Sequence, residues 1–296
     1  MNRWVEAARL RTLPLALSVC FAAATCAMQV TSLNYVHFTL LLSTVIALQI
    51  LSNYANDLGD FQNGGDDALR SGPQRQVQSG AITAHEMKVA VVLLAIVSFG
   101  LGMALLLSTG LHLMEIAFLF FLGIAAIWAA IRYTAGKNPY GYRALGDLAV
   151  FVFFGPIGVC GSAYLLCGEF TFSAVLFSVV TGCLAMMVLN LNNLRDETQD
   201  RRTRKITMIV KWGSGFGLMY SRVLFYVVVV FSLFLSWELS WFHTVSSVVI
   251  MSCLAITQRR ILFFGASDGY DKLMKPTALL SFLFSVIHFV LCIFTL

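Results

Sequence analysis

Nine long apolar runs dominate this sequence and leave little choice of fold. Hydrophobic residues make up 58% of the 296 residues and only 12% are charged, about half of the roughly 25% found in a typical soluble domain. Each run has about the length that an α-helix needs to cross a bilayer, roughly 17–25 residues. The runs occupy 12–33, 36–56, 89–108, 112–131, 146–166, 172–194, 219–237, 240–257 and 277–295. We therefore predict an all-α membrane protein with nine transmembrane helices.

The positions of the basic residues test this count independently. All 20 Lys and Arg residues lie before the first run or in alternate connections, with Arg222 in the first turn of run seven. The other connections, such as 31–35, 108–112 and 237–240, contain none. Cytoplasmic loops carry the excess of Lys and Arg. The pattern predicts a cytoplasmic N-terminus and a basic cytoplasmic face.

The net charge of +5 therefore belongs to one membrane face, where it suits anionic lipid headgroups and an anionic substrate. Nothing in the chain has the character of a basic nucleic-acid-binding module, so we expect no nucleic acid partner. The seven cysteines include no Cys-x-x-Cys pair. They are interpreted as small packing residues, without a disulfide framework or a zinc site.

Two acidic motifs follow runs two and six, and each contains Asn-x-x-x-Asp. Residues three, four and seven positions apart share one helix face, so each motif forms a polar stripe. Neighbouring carboxylates repel unless a cation lies between them. Hard oxygen ligands favour Mg²⁺, which binds through one or two carboxylates and substrate phosphates. The residues are Asn53, Asp57 and Asp60 in the first motif, and Asn192, Asn193, Asp196 and Asp200 in the second.

The matched motifs predict a site for a magnesium diphosphate on one membrane face. One alternative is that they are ordinary helix-end acids in contact with water and nearby arginines. Another is a cation-coupled transporter whose acids bind Na⁺ or protons, although transport sites prefer the membrane midplane. The recurrence of the motif four helices later suggests two similar four-helix halves, about 9–133 and 140–257, and a ninth helix at 277–295, within one domain spanning 1–296.

Side chains outside the motifs extend the predicted site. A leaving diphosphate needs positive neighbours, for which the candidates are Arg75, Lys137 and Lys205, unless they belong only to the general basic excess. Tyr133 and Tyr140 could line the path of an allylic cation with their ring faces or simply pack. Asp147 begins run five, where it either caps the helix or orients a substrate.

Longer patterns surround these residues. They are Arg11-Thr12-Leu13-Pro14-Leu15, Leu48-Gln49-Ile50-Leu51-Ser52-Asn53, Asn138-Pro139-Tyr140-Gly141-Tyr142 and Leu189-Asn190-Leu191-Asn192-Asn193-Leu194-Arg195-Asp196. With these patterns the chain resembles the UbiA superfamily of intramembrane prenyltransferases, and within it the branch that uses 1,4-dihydroxy-2-naphthoate in menaquinone biosynthesis. The third acid of the superfamily's first motif is replaced by Gly64. Asp66 or Asp67 is a candidate substitute, with a solvated loop acid as the alternative.

The resemblance implies a UbiA-type helix bundle in a bacterial cytoplasmic membrane, with its active site at the cytoplasmic face. It implies Mg²⁺-dependent transfer from polyprenyl diphosphate to 1,4-dihydroxy-2-naphthoate with loss of the ring carboxylate. The alternative acceptors are 4-hydroxybenzoate and homogentisate. Asn53, Asp57, Asp60, Asp196 and Asp200 are expected to hold the metal, and Asn193, Tyr133 and Lys137 to contact the substrate.

Overall fold

A computed structural model describes residues 2–65, 74–263 and 267–295 of the chain. Over these residues the regular structure is helical, and nine helices are long and apolar enough to cross a membrane. This confirms the predicted all-α architecture, whereas the cytoplasmic position of the N-terminus stays a prediction. The nine spans are Arg3–Met28, Tyr35–Gln62, Ala84–Ser108, Leu113–Arg132, Gly146–Cys167, Phe172–Arg202, Ser214–Leu239, Trp241–Ile261 and Gly269–Thr295.

Two spans, Arg3–Met28 and Gly146–Cys167, consist of more than one helical segment, so the helices are numbered separately. In chain order they are α1 (Arg3–Ala8), α2 (Leu13–Met28), α3 (Tyr35–Gln62), α4 (Ala84–Ser108), α5 (Leu113–Arg132), α6 (Gly146–Phe154), α7 (Ser162–Cys167), α8 (Phe172–Arg202), α9 (Met208–Trp212), α10 (Ser214–Leu239), α11 (Trp241–Phe263) and α12 (Ser267–Thr295).

Most of the long helices extend beyond the apolar runs that predict them, and three of these extensions bear on the acidic motifs. α3 continues to Gln62 and α8 to Arg202, while α12 begins at Ser267. With 28 residues, α3 is about 42 Å long at the usual rise per residue, which takes it through the hydrocarbon core and into the headgroup region. Both acidic motifs therefore lie on continuous helices, as the spacing argument requires.

The fifth span is broken, which the sequence analysis did not predict. α6 ends at Phe154, and a π-helical turn at Pro156–Gly161 precedes α7. Pro156 has no N–H for the helix ladder. A Cβ on Gly155 would lie 2.6 Å from the Ser178 carbonyl oxygen of α8, so glycine at this position allows the two backbones to approach closely.

The core lies around α2, α8 and α12. Ala22, Ala23 and Ala24 of α2 are fully buried, and small residues of this kind let membrane helices pack closely. α12 contacts both α2 and α8, so the last span returns to the first. α3 packs on α4 and α5, and α8 on α6 and α10. This arrangement brings the C-terminal ends of α3 and α8 and the N-terminal end of α12 to the same side of the bundle.

Candidate active site

The first acidic motif takes its partners from the segment that follows α3. The two carboxylate oxygens of Asp57 accept hydrogen bonds from the backbone N–H groups of Gln76 at 3.0 Å and Val77 at 3.1 Å. Asp60 forms an ion pair with Arg75 at 2.5 Å and accepts a hydrogen bond from the Tyr142 hydroxyl at 2.9 Å. Both carboxylates are buried, so these partners compensate for the loss of water.

The second motif takes its partners from α8 itself and from α12. Arg195 donates through Nε and Nη2 to the two oxygens of Asp196, at 2.6 and 2.7 Å. Its Nη1 donates to Asp271 of α12 at 2.6 Å, and its Nη2 also reaches the Asn192 side-chain oxygen at 2.8 Å. The guanidinium thus binds Asp196 in the bidentate manner that suits a planar fork.

Lys205 joins the two motifs. Its ammonium nitrogen lies 3.9 Å from Asp60 Oδ1 and 3.8 Å from Asp200 Oδ1, so the two carboxylates can be no farther apart than these distances together. The ammonium also lies 5.4 Å from the ring centre of Tyr142. A second link runs from Gln199 Nε2 to the Gly65 carbonyl oxygen at 3.0 Å. The ends of α3 and α8 therefore meet in one polar cluster.

A cavity of about 750 Å³ opens from this cluster into the bundle. Its deep walls are apolar and come mainly from α3, α4, α5 and the broken fifth span, reaching Leu41 and Leu106. From Asp60 to Leu41, α3 covers roughly 28 Å at the usual rise per residue. The charged and amide side chains at the polar end are Arg9, Arg11, Gln49, Asn53, Asn56, Asp60, Arg75, Asn192, Asn193, Lys205, Asp271, Lys272 and Lys275.

Comparison with known proteins decides the family. The profile of the UbiA prenyltransferase family matches residues 15–275. The chain belongs to this family. Among its relatives, 1,4-dihydroxy-2-naphthoate octaprenyltransferase of Haemophilus influenzae is 42% identical over 226 residues, which cover 76% of this chain and 73% of the relative. The protein of the same description from Escherichia coli is 40% identical over 71% of this chain and 68% of the relative.

Solved structures of the same family share the fold. An apo UbiA homolog from Aeropyrum pernix superposes with a TM-score of 0.70 at 15% identity, covering 95% of this chain and 96% of that one. A UbiA homolog from Archaeoglobus fulgidus bound to GPP and Mg²⁺ superposes with a TM-score of 0.66 at 16% identity, covering 98% and 99%. The predicted UbiA-type bundle is thereby confirmed.

Within this UbiA bundle, Tyr133, Tyr140 and Asp147 form one group beside the polar cluster. Tyr133 and Tyr140 line the cavity, with ring centres 5.4 Å apart in an edge-on arrangement, and the Tyr140 hydroxyl donates to the Ala129 carbonyl oxygen at 2.7 Å. Burial raises the pKa of Tyr133, with a further contribution from the Asp147 carboxylate, and burial raises the pKa of Tyr140 to about 12. Both therefore remain neutral phenols. Asp147 is buried in the first turn of α6 and is not among the described residues that line the cavity.

The two asparagines predicted from the motifs line the polar end of the cavity. The Asn53 side-chain nitrogen donates to the Ala8 carbonyl oxygen at 2.8 Å and to the Thr12 hydroxyl at 3.0 Å. These bonds attach the start of the chain to the first motif. Asn193 is buried on α8 and lines the same space.

Lys137 is the predicted basic residue that the structure does not bring to the cavity. Its side chain is exposed in the segment after α5, and its backbone carbonyl oxygen accepts a hydrogen bond from Arg132 at 2.9 Å. Arg75 and Lys205, in contrast, both line the cavity. Asp66 and Asp67, the candidate substitutes for an acid at Gly64, lie outside the described residues.

Several residues at the polar end were missed by sequence reasoning. Asp271, which precedes the predicted run at 277–295, has no role in the sequence analysis, and Tyr142 is named there only as part of a longer pattern. Arg9 is treated there only as a basic residue before the first run, and Arg11 also as the start of a longer pattern. A usable signal was present for Asp271, because it is an acid shortly before run nine, on the side that carries both motifs.

The donor set agrees with a magnesium ion that shares its coordination with a ligand. Within the described parts of the chain, no group of three or more His, Cys, Asp or Glu side chains could hold a metal by itself. A cation at this site would therefore draw on amide oxygens and on oxygens of the bound ligand as well as on Asp60 and Asp200. Mg²⁺ is commonly bound in this way, through one or two carboxylates together with substrate phosphates.

Proposed function

We propose that this chain transfers a polyprenyl group from polyprenyl diphosphate to 1,4-dihydroxy-2-naphthoate, with loss of the ring carboxylate, to give demethylmenaquinol. The observation that carries the proposal is the meeting of the two acidic motifs around Lys205 at the mouth of a deep apolar cavity. The names of the relatives from Haemophilus influenzae and Escherichia coli support the naphthoate acceptor.

The polar end of the cavity suits the diphosphate. Arg75 and Lys205 supply positive charge next to Asp60, and charge-assisted bonds of this kind stabilise a leaving diphosphate. Mg²⁺, when bound, would neutralise the negative charge that develops on the leaving oxygens. Asn53, Asp57, Asp60, Asp196 and Asp200 would hold it. Asp57, Asp60 and Asp196 would then share or exchange the hydrogen-bond donors that they now accept from.

The apolar walls suit the prenyl tail and exclude water from the reacting carbon. The allylic C–O bond breaks with its electron pair going to the diphosphate, and the electron-rich naphthoate ring forms the new C–C bond to the allylic carbon. The ring then loses its carboxylate as carbon dioxide. Tyr133 and Tyr140 offer neutral aromatic rings beside the polar cluster, which can stabilise developing positive charge.

The same proposal places the protein in the bacterial cytoplasmic membrane, surrounded by lipids, with its active site at the cytoplasmic face. This placement and orientation are supported by the segregation of Lys and Arg into alternate connections and by the position of both motifs beside those connections. The oligomeric state does not enter the proposal.

The test is a transfer assay with purified protein in detergent. Labelled polyprenyl diphosphate is supplied with either 1,4-dihydroxy-2-naphthoate or 4-hydroxybenzoate, and with either Mg²⁺ or EDTA. We expect prenylated product and carbon dioxide only with the naphthoate and Mg²⁺. Preference for 4-hydroxybenzoate would move the proposal to another acceptor, and absence of product with both would overturn it.

Variants connect the activity to the site. Asp60→Asn and Asp200→Asn should each lower transfer about 100-fold or more, the usual scale for loss of a group that stabilises developing charge. Glu238→Gln is the matched control, because Glu238 is an exposed acid at the C-terminal end of α10, away from the polar cluster. Full activity of Asp60→Asn would remove the proposed metal site.

A further inference from the structure

A buried charge network links the second motif to the last helix and to the start of the chain. Arg195 lies at its centre, with its side chain only 1% exposed. It binds Asp196 through one edge and Asp271 through Nη1. Asp271, whose side chain is 39% exposed, also lies 3.5 Å from Arg11. Three chain segments that are distant in sequence therefore share one set of charges.

The network has a consequence for metal binding, which rests on the function proposed above. Both oxygens of Asp196 accept hydrogen bonds from Arg195, so a cation that coordinates Asp196 competes with these donors for the same carboxylate. A buried guanidinium that loses its anion is costly, because the remaining charge is not compensated. Asp271 changes that cost, since it stays bound to the other side of the guanidinium.

We propose that Asp271 is a positioning residue of the second motif. It retains the Arg195 guanidinium when Asp196 turns to a magnesium diphosphate, and it thereby sets the Mg²⁺ concentration that the site requires. Without this acid, Asp196 would be the one carboxylate that the described residues offer to Arg195. The guanidinium would then compete more strongly with the metal for Asp196.

The experiment measures the Mg²⁺ requirement of Asp271→Asn in two ways. The first is the rise in the thermal unfolding midpoint of the purified protein when Mg²⁺ is titrated in the presence of inorganic pyrophosphate. The second is the Mg²⁺ dependence of prenyl transfer. We expect the half-maximal Mg²⁺ concentration to increase about three-fold in both, the scale of a partly exposed ion pair, with kcat at saturating Mg²⁺ unchanged.

Two further variants keep the test falsifiable. Asp271→Glu retains the charge and should restore the wild-type Mg²⁺ requirement. Arg195→Lys should lower the requirement, because a lysine binds as a point charge and cannot form the bidentate contact with Asp196. Glu197→Gln is the matched control, since Glu197 forms an ion pair with the exposed Arg201 on the same helix, and it should leave the Mg²⁺ requirement unaltered.

The outcomes separate this inference from the proposed function. An unchanged Mg²⁺ requirement in Asp271→Asn, an equal change in Glu197→Gln, or a fall in kcat alone would overturn the role of Asp271. Suppose instead that the wild-type protein transfers no prenyl group, is stabilised by Mg²⁺ and pyrophosphate, and needs less Mg²⁺ for this than Asp271→Asn. That result would overturn the function and leave the inference standing.

Discussion

The two acidic motifs share the Asn-x-x-x-Asp pattern, with a further aspartate three residues later in the first motif and four residues later in the second. Different parts of the chain provide their hydrogen-bond partners. In the first motif, Asp57 binds two backbone N–H groups about twenty residues away. In the second, Asp196 binds the side chain of its neighbour Arg195. The first motif therefore holds a connecting segment in place, whereas the second is held by its own helix and by α12. Equal patterns in sequence do not imply equal roles in structure.

The difference extends to the residue two positions after the first aspartate of each motif. A Cβ on Gly59 would lie 2.5 Å from the backbone of Thr134 and Ala135, so α3 is in close contact with the segment that follows α5. The corresponding Thr198 of α8 is exposed. The first motif is thus packed against protein on a side where the second faces outward.

The largest expected effects come from the aspartates themselves. Asp57→Asn and Asp196→Asn should both reduce transfer about 100-fold or more, as expected for groups that support charge stabilisation. Only Asp57→Asn should also increase tryptic cleavage after Arg75, because an amide cannot accept both backbone N–H groups of the segment that follows. Cleavage at the same rate in both variants would show that the two motifs do not differ in this way.

The next effect tests the close packing beside the first motif. Gly59→Ala should lower the thermal unfolding midpoint in detergent, since inserting a methyl group into a packed contact typically costs about 1–3 kcal/mol. Thr198→Ala, the matched change in the second motif, should leave the midpoint close to that of the wild type. A stable Gly59→Ala variant would mean that α3 can move away from Thr134 without loss.

These contrasts also show what the sequence could predict. The nine spans follow from the cost of placing polar groups in lipid, which acts on every residue of a span and leaves a strong signal. The polar stripes Asn53/Asp57/Asp60 and Asn192/Asp196/Asp200 follow from helical spacing alone. Both are local properties of the chain, and the structure places these residues on continuous helices.

The remaining features depend on contacts between distant segments. The pairing of Arg195 with Asp271 joins residues 76 positions apart, and hydropathy carries no information about such a partner. The break at Gly155 depends on the approach of α8, and the extension of α12 to Ser267 was hidden because charged residues interrupt the apolar run. Whether Lys137 reaches the cavity is likewise decided by the fold of the segment after α5.

A smaller effect is expected at Tyr142, whose hydroxyl donates a hydrogen bond to Asp60 of the first motif. Tyr142→Phe removes the 2.9 Å hydrogen bond to Asp60 and keeps the ring beside Lys205. Loss of a hydrogen bond to a charged group corresponds to roughly a ten-fold change, which we expect in the KM for polyprenyl diphosphate. Tyr35→Phe is the control, because Tyr35 is 76% exposed at the other end of α3.

The smallest effect is expected at Lys137. This variant tests whether a residue's importance is determined by its position in the fold or by its membership of a motif. Its side chain is exposed, whereas Lys205 lies between Asp60 and Asp200. Lys137→Gln should therefore change kcat/KM by no more than about two-fold, as is usual for surface substitutions. Lys205→Gln should reduce kcat/KM at least about ten-fold, because it removes the cation that links the two motifs. If Lys137→Gln proved the more damaging variant, the segment after α5 would have to close over the cavity when the diphosphate binds, and the positive charge of the site would come from that segment as well as from the helix ends.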